Sequence, residues 1–150
     1  MNLITKSFSA LSTRELFLIA KGRVDVFVVE QACAYPELDE VDCDQATSHM
    51  YWIFGEQLGA YARCYVKNSA YSAIGRVLIN KEHRGNGLAH QLVVSAVAKC
   101  FELWPNRDIY IGAQTYLLDF YRSLGFEMVG QSYLEDGIEH QDMILKRPIN

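Results

Sequence analysis

The sequence predicts an α/β fold: a mixed, twisted sheet of about seven strands with helices on both faces. Three observations carry that prediction. An apolar, β-branched run at 74–79 leads through a glycine-rich turn into a long amphipathic helix, and a second strand follows at 108–113. Such a strand-helix-strand unit closes as a parallel, right-handed crossover. Two apolar runs, 50–54 and 58–66, flank Gly55-Glu56-Gln57 as a hairpin. Two more, 126–133 and 138–147, flank Asp136-Gly137, a pair that favours tight hairpin turns.

Taken in order, residues 2–9 read as a first strand. Ser12-Thr13-Arg14-Glu15 is a capping box, in which the Ser12 hydroxyl and the Glu15 carboxylate satisfy amides at a helix start. That helix runs through Leu16, Phe17, Ala20, Val24, Phe27 and Val28 to Glu30-Gln31, with a bend expected at Gly22. A mid-helix glycine costs about 1 kcal/mol relative to alanine. Residues 32–45 form a loop with Pro36 and the carboxylates Glu37, Asp39, Glu40, Asp42 and Asp44. Such a run reads as a solvated acidic loop, or more sharply as a gate for a cationic amine. The hairpin and the 74–79 strand then make an antiparallel meander.

The long helix begins at Leu88. Its apolar stripe is Leu88, Leu92, Val93, Ala96, Val97, Cys100, Phe101 and Trp104, with Gln91, Ser95, Lys99 and Glu102 opposite. Pro105-Asn106 breaks it. A short helix over 115–124 stops at Gly125, which suits the left-handed position after a helix end. No linker, repeat or low-complexity stretch divides the chain, so one domain is expected over 1–150.

Composition narrows the function. The 150 residues are 50% hydrophobic and 21% charged, with a net charge of −4. No basic patch is concentrated enough for nucleic acid, and no apolar run is long enough for a membrane span. The N-terminal stretch lacks a signal-peptide pattern, so a cytoplasmic protein is expected. Cys33, Cys43, Cys64 and Cys100 have neither metal-knuckle nor redox spacing, so free thiols and no metal site are expected. An edge strand or the last hairpin offers a surface for a homodimer.

The chemistry-bearing stretch is His83-Arg84-Gly85-Asn86-Gly87, between strand and helix. The first amides of a helix lack intrahelical partners, and the aligned peptide dipoles make that end partly positive. Glycines bring the main chain close to a ligand, and together these features make an anion site. A plain glycine turn is the alternative, which the second glycine at Gly87, the cation at Arg84 and the small Ala89 make less adequate. A P-loop requires Lys-Ser/Thr after its last glycine, where this chain has Leu88-Ala89. A dinucleotide loop requires a third glycine where His90 stands.

Arg84-Gly85-Asn86-Gly87-Leu88-Ala89 resembles the R/Q-x-x-G-x-G/A signature of the GNAT superfamily of acyl-CoA-dependent N-acyltransferases. Downstream, Phe120-Tyr121-Arg122-Ser123-Leu124-Gly125-Phe126 resembles that family's F-Y-x-x-x-G-F block. V-F-V-V-E-Q at 26–31, A-Y-A-R at 60–63, G-R-V at 75–77, G-A-Q at 112–114 and E-D-G-I-x-H-x-x-M at 135–143 are similar to the ElaA-like branch. The similarity covers nearly the whole chain.

The resemblance implies transfer of an acetyl or other acyl group from acetyl-CoA to an amine acceptor, a small molecule or a peptide or protein amine. Arg84 and the amides of Gly85, Asn86, Gly87, Leu88 and Ala89 would hold the diphosphate. The main chain of Leu78 and Ile79 would pair with the pantetheine arm. Gln114 stands where many relatives place an asparagine. Tyr121 matches the family's general acid for the leaving sulfur. A free tyrosine has a pKa of about 10 and a thiol about 8.5, so that transfer is uphill by about 2 kcal/mol in water.

The glutamate that histone-type relatives use as base is replaced by Ala73, leaving Glu30, His49 and His140 as candidates. A lysine-like amine costs about 4.6 kcal/mol to neutralise at pH 7, an α-amine about 1.4. Glu30, Arg63, Arg76 and His140 are the expected acceptor-pocket residues. A non-catalytic acyl-CoA-binding sensor or scaffold is the alternative function, and an unrelated nucleotide binder the third.

Overall fold

The computed structural model describes residues 1–149. Its first strand, β1 (Ile4–Lys6), is shorter than the sequence suggests, because the chain tightens into a 3₁₀ turn at Phe8–Ala10. Helix α1 (Thr13–Arg23) begins with the expected capping box: Glu15 N–H donates to Ser12 Oγ at 3.0 Å, and Ser12 N–H to Glu15 Oε1 at 2.8 Å. Tyr51 and Lys6 also donate to Glu15, fastening the helix start to the sheet. The Tyr51 bond leads in lowering the carboxyl to about 2.

Gly22 lies inside α1. It is a point of close approach, where a Cβ would stand 2.6 Å from Leu58 Cδ2. The helix changes winding just beyond it. Val24–Glu30 is a π-helix, and the Gln31 and Cys33 amides reach back five residues to Val26 O and Val28 O at 3.1 and 3.0 Å. π-Turns concentrate at functional sites, and this one leads into the wall of the cavity described below.

The strands that follow are β2 (Ser48–Phe54), β3 (Gln57–Val66) and β4 (Tyr71–Ile79), an antiparallel meander. Helix α2 (Leu88–Leu103) crosses to β5 (Asp108–Gln114), which lies parallel to β4. Helix α3 (Leu118–Ser123) ends as Gly125 predicts. Gly125 has φ 97°, its N–H donates to Arg122 O at 3.0 Å, and the Phe126 N–H donates to Tyr121 O at 3.2 Å, the paired bonds of a Schellman motif.

The expected strand 126–133 is two strands, β6 (Glu127–Met128) and β7 (Tyr133–Glu135), both pairing with β8 (Ile138–Leu145). Gly130, at φ 70°, turns the chain out of the ladder between them. The Gln141 side chain satisfies the loop carbonyls of Val129 and Gly130 at 2.9 and 3.2 Å. The sheet order is β1-β2-β3-β4-β5-β8-β6, with β7 also on β8. No helix among the described residues is long and apolar enough to cross a membrane.

Helices cover both faces. Leu92, Val93, Ala96 and Cys100 of α2, with Tyr121 of α3, pack on Ala60, Ala62, Cys64 and Ile74. On the opposite face Ile19 and Phe27 pack on Tyr51, Leu58, Tyr61 and Leu78. Alternation along β3 sends Ala60 and Ala62 one way, Tyr61 and Arg63 the other.

The acidic stretch is only partly a solvated loop. Glu40 and Asp44 are exposed, but Glu37 and Asp42 are buried against buried arginines. Arg23, 1% exposed, donates to Glu37 Oε2 at 2.7 Å and Asp42 Oδ1 at 2.6 Å. Arg63 donates to Asp39 Oδ1 at 2.6 Å and Asp42 Oδ1 at 2.9 Å, and Arg76 to Glu37 Oε2 at 3.0 Å. Burial pushes Asp42 up, but Arg23 outweighs it and holds the carboxyl at about 2. With its charges matched, this stretch is a docked flap over β3 and β4.

Candidate active site

Strands β4 and β5 pair only at Tyr71↔Asp108, Ser72↔Ile109 and Ala73↔Tyr110. Beyond Ala73 they diverge. A bulge between Tyr61↔Leu78 and Arg63↔Gly75 bends β4 away, with Arg76 in left-handed backbone at φ 52°. A non-glycine residue holds such a conformation only where its surroundings over-determine it. Here the Arg76 guanidinium is pinned to Glu37 and lies 5.5 Å from the Tyr35 ring centre.

The divergence opens a cavity of about 530 Å³. Its walls are β4 at 74–77, β5 at 110–114, the start of α3, the β7–β8 hairpin, and the flap that follows the π-helix.

At the end of β4 lies the glycine turn. Gly85 and Gly87 have φ 83° and 74°, and a Cβ on either meets nothing within 4 Å. Both glycines answer a backbone requirement that L side chains meet poorly, and the space in front of them is open. Gly87 is the N-cap of α2, with no side-chain cap, so the first amides are free to meet an anion.

Arg84 is already engaged. Its Nε donates to Ile79 O at 2.8 Å, and its terminal nitrogens donate to Glu30 at 2.7 and 3.1 Å. Glu30 therefore lies over the glycine turn and not in the cavity wall, a departure from its expected place in the acceptor pocket. Arg84 draws its carboxyl below the usual range. The Leu78 and Ile79 side chains are buried in opposite cores, and their main chain lies on the diverging part of β4. Gln114 lines the cavity and donates to Gln31 Oε1 at 3.2 Å.

Tyr121 of α3 is 6% exposed, lines the cavity, and makes no hydrogen bond through its hydroxyl among the described residues. Burial first, then Tyr116, pushes it up to about 12. Its hydroxyl therefore stays protonated at neutral pH.

Of the residues expected in the acceptor pocket, Arg63, Arg76 and His140 line this same cavity. His49 does not. It is 1% exposed beneath the flap, where its Nε2–H donates to Asp42 O at 3.0 Å and its Nδ1 meets the Tyr61 hydroxyl at 2.6 Å. Burial depresses its pKa. With both ring nitrogens engaged and the ring outside the cavity wall, His49 is not positioned as the base that the sequence offered.

The sequence pattern missed Gln31, Tyr35 and Tyr65 in the wall. Period-two alternation along 58–66 places Tyr65 with Arg63, and that signal was available. Among the described residues no His, Cys, Asp and Glu group is arranged to hold a metal.

An open parallel pair thus leads toward an uncapped helix N-terminus, with a tyrosine across the gap. The acetyltransferase (GNAT) domain family matches residues 21–147, and the chain belongs to that family. Within it, the chain is similar to protein ElaA of Escherichia coli, at 36% identity over 137 residues, 90% of each chain. The crystal structure of E. coli ElaA superposes with TM-score 0.91 at 34% identity, covering 97% of this chain and 100% of that one. An acyl-CoA N-acyltransferase structure from Pseudomonas aeruginosa gives TM-score 0.90 at 36% identity, covering 96% and 98%.

Proposed function

We propose that this protein transfers an acyl group, most simply acetyl, from acetyl-CoA to a primary amine by direct attack. The observation that carries the reading is the diverging β4–β5 pair, faced by Tyr121 from α3, with the uncapped N-terminus of α2 beyond the end of β4. The diphosphate would rest on the amides of Gly85, Asn86, Gly87, Leu88 and Ala89 with Arg84 beside them. The pantetheine arm would run along Leu78 and Ile79 toward Gln114, and the amine would arrive between Arg63, Arg76 and His140. These are the groups that this reaction needs. The amine nitrogen attacks the thioester carbonyl, the carbon–sulfur bond breaks, and the sulfur leaves under the Tyr121 hydroxyl.

At about 12, Tyr121 is a weaker acid than free tyrosine, and full transfer to a free thiolate of about 8.5 is uphill by about 5 kcal/mol. The same burial also raises the thiol, because it penalises every anion in the cavity. Tyr121 therefore acts by hydrogen-bonding the sulfur as charge develops. It hands over its proton as the amine nitrogen loses one, so no isolated tyrosinate forms.

Thermal shift separates donor classes: acetyl-CoA raises Tm, while ATP and NAD at equal concentration do not. Thiol release from acetyl-CoA over a panel of small amines and peptides then tests transfer. Binding with no thiol release from any amine replaces this reading with the non-catalytic acyl-CoA module.

A further inference from the structure

We propose that His140 is the group that takes the proton from the attacking amine, an inference that rests on the transfer reading above. Its Nδ1 lies 2.7 Å from Ile138 O. A carbonyl oxygen only accepts, so Nδ1 carries the hydrogen and the neutral ring presents its lone pair at Nε2. That nitrogen is 3.8 Å from Glu135 Oε2, beyond hydrogen-bond distance. The ring is held flat by Tyr133, whose ring centre is 6.0 Å away with planes 19° apart. His140 is 9% exposed, lines the cavity with Tyr121, and stands opposite Gln114 across the β5–β8 ladder. The Ile138 carbonyl thus sets the tautomer, the Tyr133 ring lies along the imidazole, and the residue lines the cavity.

The other titratable groups of this wall are less suited. Asp39 is a weak base: burial raises its carboxyl, but Arg63 and Arg76 outweigh that and bring it below the usual range. The Cys33 thiol donates to Asp136 O at 3.2 Å. Tyr35 and Tyr65 are driven up by burial and stay protonated. Lys67 is a cation over the Tyr110 ring. Glu135 and Asp136 are exposed at the rim, where Glu135 offers the imidazolium a counter-charge and a way out for its proton.

The step balances. An R–NH₃⁺ group gives one proton to Nε2, and the freed amine attacks the thioester carbonyl carbon. The adduct nitrogen loses its second proton as the sulfur gains one through Tyr121, and the His140 proton leaves to solvent past Glu135.

The test uses the full chain, acetyl-CoA, and two probe amines at high concentration: glycinamide, an α-amine, and Nα-acetyl-lysinamide, an ε-amine. Both are followed by thiol release from pH 6 to 10. His140→Gln should lower kcat/KM at pH 7 by about 10²–10⁴ for the ε-amine. The loss for the more weakly basic α-amine should be smaller, and the acidic limb of the wild-type profile should shift to the pKa of the amine itself. Coenzyme A affinity should be unchanged, which separates this role from a structural one. Long-range ¹⁵N spectra of the histidines should show His140 with hydrogen on Nδ1. A variant whose limb and amine dependence match wild type overturns the proposal, as does hydrogen on Nε2 in neutral His140. Wild type that binds acetyl-CoA but acetylates no amine in the earlier panel overturns the transfer reading instead.

Discussion

Removing the carboxylate that holds Arg84 should tighten binding of coenzyme A. Glu30 holds Arg84 through two hydrogen bonds at 2.7 and 3.1 Å, with the two side chains 40% and 42% exposed. An exposed pair of this kind is worth about 0.2–1 kcal/mol. A diphosphate held on the Gly85–Gly87 turn, as proposed above, would compete with Glu30 for the same guanidinium. Glu30→Gln removes the competitor, so coenzyme A should bind up to about fivefold tighter. Arg84→Gln removes the cation and should weaken binding by about 1.5–3 kcal/mol, the range for a hydrogen bond to a charged group. The double variant should match Arg84→Gln, because Glu30 acts only through Arg84. Titration calorimetry at low salt measures all three, and raising the salt should shrink the Glu30→Gln gain as the wild-type pair is screened. Weaker binding in Glu30→Gln refutes the competition. Unchanged coenzyme A affinity with a raised KM for the amine would return Glu30 to the acceptor side.

Tyr121→Phe should lower turnover by about 10²–10⁴ while leaving the Kd for coenzyme A within about twofold, and an unchanged rate removes Tyr121 from the chemistry. Gly87→Ala forces a side chain into φ 74° and should cost about 1–2 kcal/mol of stability together with coenzyme A affinity. Gly55→Ala, at φ 63° in the β2–β3 hairpin, should show the first loss without the second. Asp42→Ala leaves Arg23 and Arg63 short of a partner and should cost about 3–5 kcal/mol in urea unfolding. Because the folded Asp42 carboxyl lies at about 2, below its usual value, its contribution is complete above pH of about 4. It should be lost as pH falls toward 2, and wild type should lose more stability over that range than Asp42→Ala.

The sequence disclosed what local chemistry determines. Ser12 and Glu15 meet within one turn, Gly125 serves the four residues before it, and Gly85 and Gly87 declare their backbone by lacking a side chain. Arg23 was illegible for the opposite reason. Its partners Glu37 and Asp42 lie far along the chain, and no pattern in the acidic loop says that arginines from α1, β3 and β4 will meet it. The π-helix was hidden because apolar spacing does not separate i→i+4 from i→i+5 winding over seven residues. The β4–β5 divergence is likewise a matter of register, set by the extra residue at Arg76 and by bonds to β3. In the cavity, the left-handed backbone of Gly85 and Gly87 followed from their motif, whereas Gln31 and Tyr35 join the wall only once the segment after the π-helix docks.

The short β4–β5 pairing has a mechanical consequence. Two leaves of sheet, one carrying α1 and α2 and the other α3, share main-chain bonds at their common edge only near the spine formed by 71–73 and 108–110. A molecule lying between the open edges acts as a removable strand, and one in hundredfold excess over its Kd stiffens the fold by about 2.7 kcal/mol. Amide exchange along 74–79 and 111–114 should therefore slow when that molecule is present. Part of this protein's resistance to unfolding would then follow the concentration of whatever molecule fills that gap.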